Sequence, residues 1–174
     1  MMKRIAVTLG VVAALLALSA ACFERNAHAA DRKKVTWNGK SVRLISETKA
    51  NPGDPQNREI VQSVRLDGLT STDPNFDGID VHIYEQDDQI AGTGTHRGYT
   101  VYLHKNGDKS FDKFEGTHRT ITKDGGAWET PFEGRGQFIG GTGKFKDIQG
   151  IYTYTGKITP EGGVQYVQEG EVQY

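Results

Sequence analysis

Four histidines, His82, His96, His104 and His118, and the residues around them carry most of the acid–base or metal chemistry open to this 174-residue chain. No H-x-H or H-x-x-x-H spacing links them and none stands beside a cysteine, so the sequence nominates no zinc site. Tyr102 and His104 share one face of a strand-like run, and His118 follows Glu115 closely. If that face points into a closed interior, Tyr102, His104, Glu115 and His118 form a group able to donate and accept protons. If Val101 and Leu103 point inward instead, the same residues are surface polar groups, and the alternation rule favours this second arrangement. His82 alternates with Val81 and Ile83 and reads as solvent-facing.

Asp73-Pro74-Asn75-Phe76-Asp77-Gly78 places oxygen donors on alternate residues and glycine sixth, as in the opening of a calcium loop. The twelfth position is Tyr84 where a bidentate Glu is needed, and a strand follows where a helix should. Asp, Asn, Pro and Gly clusters are also ordinary turn chemistry. The reading is therefore no metal and no cofactor, with Asp73, Asn75 and Asp77 as the alternative metal ligands. The segment 140–144 is no phosphate loop, because Phe138 and Phe145 stand where G-x-x-x-x-G-K-[ST] needs Gly and Ser or Thr. No G-x-S-x-G elbow occurs.

Aromatic residues give a different lead. Trp128, Phe132 and Phe138 fall on one face of a strand with Gly134 and Gly136 between them, and Tyr152, Tyr154, Tyr166 and Tyr174 add rings with polar tips. Trp128, Phe132, Phe138 and Tyr152 are the candidate lining of a ligand pocket, and a self-filled core is the competing arrangement.

The elements that must position these side chains are strands. Period-two alternation recurs throughout and no window past the leader sustains a helical apolar stripe for three turns. Strands are expected at 42–46, 60–66, 78–84, 98–104, 109–115, 117–123, 128–139, 150–158 and 164–174. Turn signals at 106–108, 124–126, 140–143 and 160–163 separate successive runs, the pattern of consecutive antiparallel hairpins. Residues 48–58 and 70–77 read as the long loops. Glycines within the last strands suit barrel curvature better than a flat sheet, so the expected fold is all-β, a closed antiparallel barrel of about eight strands, with a β-sandwich as alternative.

The first 29 residues read as a secretory leader: Lys3 and Arg4, an apolar run over 5–23, and an A-x-A exit at Ala27-His28-Ala29. An uncleaved anchor is the alternative, and LSAAC offers another, a lipoprotein anchored through Cys22, although Ser19 stands where an aliphatic residue is usual. Periplasmic or secreted location follows, with the membrane involved only through such an anchor. Cleavage leaves residues 30–174 as one cysteine-free domain and moves the net charge from −1 to −3. With 22 glycines and 25% charged residues the composition is that of a globular chain, and a near-neutral balance argues against a nucleic-acid partner.

Within this pattern, GRGQFIGGTGKFKDIQG (134–150), NGDKSF (106–111) and FEG (114–116) occur in an order that resembles the allene oxide cyclase and dirigent-type barrels, above all their small exported bacterial members. The resemblance covers roughly the last 75 residues. It implies an eight-stranded barrel with an apolar lumen and in some relatives a cyclase or coupling role achieved by shape, while the GGTG turn itself, whose glycines permit positive φ, lets Phe145 fold back over a barrel end. Trimers are common among its plant members, so an oligomer is open. No catalytic residue of the plant cyclases maps onto this chain.

Three functions follow as expectations: a non-enzymatic barrel binding a small apolar or amphipathic molecule, a cofactor-free cyclase or isomerase, and a structural or protein-binding role in the cell envelope.

Overall fold

The alternation written into the sequence folds into nine strands: β1 Lys33–Ala50, β2 Arg58–Ser71, β3 Ile79–Ile90, β4 Thr93–Leu103, β5 Lys109–Arg119, β6 Ile121–Thr122, β7 Trp128–Gly141, β8 Gln149–Thr159 and β9 Gly163–Gln173. The computed structural model describes residues 32–161 and 163–174. The leader, its Ala27-His28-Ala29 exit and Cys22 lie outside the described residues, as does Gly162 in the last turn. Sequence neighbours pair antiparallel except β5 and β6, β1 pairs with β9, and β5 pairs with β7. Eight strands thus close into an up-and-down barrel, with the two-residue β6 beside β7 on the outside. Closure pairs each barrel strand on both sides over most of its length and removes the free edges that a sandwich would keep.

Two expected boundaries change for physical reasons. β1 starts nine residues before the expected 42–46 and runs through Asn38-Gly39, where Gly39 lies beneath the ring of Tyr166. The apolar residues that nominated 42–46, Val42, Leu44 and Ile45, are exposed, since β1 leaves β9 after Lys40 and carries two register shifts against β2. The expected 109–115 and the first three residues of 117–123 merge into one β5, because Gly116 is a paired strand residue between β4 and β7 and not a break, and the remainder supplies the short β6. β3 and β4 are joined by Ala91-Gly92, both at positive φ (49° and 74°), the two-residue hairpin geometry that matches strand twist.

Inside the barrel one half is sealed. Phe76, carried on the turn between β2 and β3, stands with its ring centroid 5.0 to 6.1 Å from those of Trp37, Tyr102, His104, Phe138, Phe145 and Tyr174. Phe145 folds over this end as the GGTG turn led one to expect, stacked 3.6 Å from His104, in a loop whose Gly140 and Gly143 take positive φ. Edge-to-face packing of this kind adds to the area term.

Candidate functional site

The sealed and open ends of the barrel differ in chemistry. At the sealed end polar groups pair with one another, although Trp37 Nε1 and Asp112 Oδ1 are buried without a hydrogen-bond partner. Asp112, fully buried, accepts hydrogen bonds from the phenols of Tyr102 and Tyr152, each 2.6 Å from Oδ2. Burial pushes its carboxyl up to about 6, although both phenols oppose the shift. His104 is held between the Asn75 carbonyl at Nδ1 and Ser110 Oγ at Nε2, both 2.9 Å, and burial pulls its imidazole down. Such a ring is neutral, donating from Nδ1 and accepting at Nε2.

The open end holds a cavity of about 690 Å³. Its apolar wall comes from Val61, Phe132, Ile158 and Val164, with the half-open Trp128 at the rim, and its polar wall from Arg65, Glu85, Asp87, Gln89, His96 and His118. The polar wall is the direct continuation of the barrel's inward parity. Ile79, Val81 and Ile83 of β3 face in, and the same parity carries Glu85, Asp87 and Gln89 into the cavity. Asp87 and His96 are direct partners across β3 and β4, and His118 sits two residues along β5 from Gly116, the partner of His96. The three side chains offer ligand atoms within 4.8 Å of one another, with His118 Nδ1 3.7 Å from Asp87 Oδ1.

Each imidazole is anchored from behind. His118 Nε2 donates to Gln89 Oε1 at 3.1 Å, and His96 Nε2 meets the Tyr154 hydroxyl at 2.7 Å. That second contact needs Gly116: a Cβ there would stand 2.7 Å from both His96 Nε2 and Tyr154 Oη. At the floor of the cavity Arg65 pairs with Asp67 Oδ2 at 3.1 Å and with Glu85 Oε2. Burial pushes the Asp87 carboxyl up to about 7, with Glu85 adding to it, while burial pulls both histidines down. One guanidinium thus faces three carboxyls, Asp67, Glu85 and Asp87, and this end of the lumen carries an excess of acidic groups.

The residues singled out in the sequence are distributed differently from either expectation. Tyr102 and His104 are buried inside, with Val101 and Leu103 half-buried on the outside, so the alternation rule chose the wrong face: here the polar set packs around Phe76 and Asp112. His118 is also buried, but at the opposite end of the barrel, and Glu115 points outward to Arg135, 2.6 Å from its Nη2. The Tyr102, His104, Glu115 and His118 group therefore does not assemble. His82 is half-buried on the outer face. Of the four aromatic candidates, Phe132 and Trp128 border the open cavity, whereas Phe138 and Tyr152 belong to the sealed aromatic cluster.

Asp73 caps its own turn. It accepts from the backbone N–H and the side-chain amide of Asn75 and from the Tyr174 hydroxyl, and although burial opposes it these bonds hold its carboxyl below the usual range. Asp77 accepts from the Ser71 N–H. The oxygens that suggested a calcium loop are used by the turn and by Tyr174, and β3 follows directly.

Asp87, His96, Arg65, Glu85 and Tyr154 carry no local motif. The signal that finds them is parity: extending each apolar face along its own strand leads to them.

A larger concavity, about 1,320 Å³, lies among mostly outward-pointing residues including Tyr84, Arg97, Tyr99 and Arg135. It lacks the cluster of buried titratable groups found at the open end. No protein-family model and no curated protein matches the chain.

Proposed function

We propose that this barrel is an exported carrier that takes a small amphipathic molecule into its open end. One observation carries the reading: a cavity at the open end, lined by the Arg65 group, apolar on the β7 to β9 side and polar on the β3 to β5 side. An apolar body would lie against Val61, Phe132 and Val164, and a polar head would meet Asp87, His96 and His118. Pockets of this size with a few convergent polar groups are the usual form of small-molecule sites. Export by the leader, and a lipid at Cys22 as its alternative, belong to the same proposal.

The test is a fluorescence titration with the neutral apolar dye N-phenyl-1-naphthylamine on the wild type and on Val164→Trp, which fills the mouth. Saturable binding weakened at least tenfold in the variant supports the reading. Absence of saturable binding, or equal affinity in the two proteins, overturns it.

A second reading, a cofactor-free isomerase or cyclase, draws on one feature: a carboxylate and two imidazoles held side by side facing the cavity are the groups that general acid–base catalysis employs.

A further inference from the structure

We infer that Asp87, His96 and His118 form a binding site for a divalent first-row transition ion of the zinc or ferrous class. The inference concerns the same open end as the carrier reading but stands on a different observation, the ligand set itself. Two imidazoles and one carboxylate on three adjacent strands present one donor atom each within 4.8 Å of one another. Around one ion with bonds of about 2.0–2.2 Å the donors would stand roughly 3–3.5 Å apart. His118 Nδ1 and Asp87 Oδ1 are already at 3.7 Å, so closing the set takes side-chain rotation and no movement of the sheet.

The outer contacts fit a metal ligand set as well. Ligating histidines characteristically donate their second ring nitrogen to a neighbouring acceptor, which fixes the tautomer and leaves the other lone pair for the ion. Gln89 Oε1 has only lone pairs to offer, so His118 Nε2 carries the proton and Nδ1 is left facing Asp87. The Tyr154 hydroxyl, 2.7 Å from His96 Nε2, is able to accept from that nitrogen, the arrangement in which His96 Nδ1 keeps its lone pair for the ion. Both rings are almost fully buried, and among the described residues Asp87 accepts no hydrogen bond.

Hydrogen bonding points in the same direction. Arg65 bonds to Asp67 and Glu85 and leaves Asp87 without a guanidinium partner, so its oxygens are available to an ion. Two imidazoles with one carboxylate suit zinc and iron better than calcium or magnesium, which prefer all-oxygen sets. Three protein ligands with the remaining positions facing a cavity is the form of an open site rather than a closed structural one.

The experiment titrates chelator-stripped, dialysed full-length protein with zinc chloride by isothermal calorimetry, and with cobalt(II) chloride by visible absorption. Wild type is expected to take one equivalent with micromolar or tighter affinity and to give the d–d bands of a low-coordinate cobalt site. His118→Ala should lose at least a hundredfold. Asp87→Asn, which keeps the shape of a half-buried side chain and guards against a folding artefact, should lose at least tenfold. Gln89→Leu, which touches only the outer contact, should lose about 10–100-fold, and His82→Ala on the outer wall should change nothing. No saturable zinc binding, or binding indifferent to His118→Ala and Asp87→Asn, overturns the inference. The dye titration run on the same stripped protein separates the two proposals: dye bound without zinc affinity removes this inference alone, and loss of both removes the carrier reading too.

Discussion

The phenol ring of Tyr152 occupies the space directly above Gly136, its partner across β7 and β8, so that a Cβ on Gly136 would fall inside the ring. Tyr154 stands over Gly134 in the same way two residues along. G-x-G on one strand and Y-x-Y on the next are two halves of one packing device, which seats rings flush against a curved sheet.

Gly136→Ala is therefore expected to cost about 1–3 kcal/mol through overpacking. In a Tyr152→Ala background the same change should cost far less, because the clashing atoms nearest that Cβ belong to Tyr152. Urea midpoints of the four proteins in this cycle check it, and additive costs would contradict the packing device.

Asp112 gives a pH signature. Its folded-state carboxyl, pushed up to about 6 by burial, lies above the ordinary value near 3.8, so the native state holds a proton that the unfolded state has released. Its contribution to stability is full below about pH 4, falls as pH rises towards 6, and beyond that the loss is complete, about 2–3 kcal/mol. Asp112→Asn should remove that slope, gaining on the wild type between pH 4 and pH 7 in denaturant melts. A constant difference across this range would show that the carboxyl does not hold its proton.

Phe76→Ala should destabilise the barrel by about 3–5 kcal/mol, as a ring lost from a packed cluster does. It should leave dye affinity within about twofold, since the sealed end and the cavity are separate. Paired melts and titrations read both quantities. A parallel loss of binding in protein still shown to be folded by circular dichroism would mean the cavity extends through the aromatic cluster.

The sequence made the barrel legible and the site only in part, and particular residues show why. Closure could be expected from alternation, hairpin glycines and curved strands, because these are local. The face of β4 could not, because its inward residues are Thr100, Tyr102 and His104: polar side chains that become core only once Asp112, Ser110 and the Asn75 carbonyl arrive from elsewhere in the chain. Glu115 and His118 looked like neighbours in sequence, but an odd offset along a strand puts them on opposite faces. Asp87, His96 and His118 are scattered over β3 to β5 and acquire a common address only through register.

Outward-facing Glu115 supplies a contrast. Glu115→Ala removes an exposed pair with Arg135 and should change neither dye nor zinc affinity measurably, whereas His118→Ala should change the zinc isotherm strongly. Equal effects would indicate that the outer concavity, to which Glu115 belongs, is the binding surface.

The central claim is tested most directly by a crystal structure of the protein soaked with N-phenyl-1-naphthylamine. Density for the dye is expected in the open end, between Val61, Phe132 and Val164 on one side and Asp87 and His118 on the other. Density confined to the outer concavity around Tyr84 and Tyr99, or an open end filled by its own side chains at saturating dye, would contradict it.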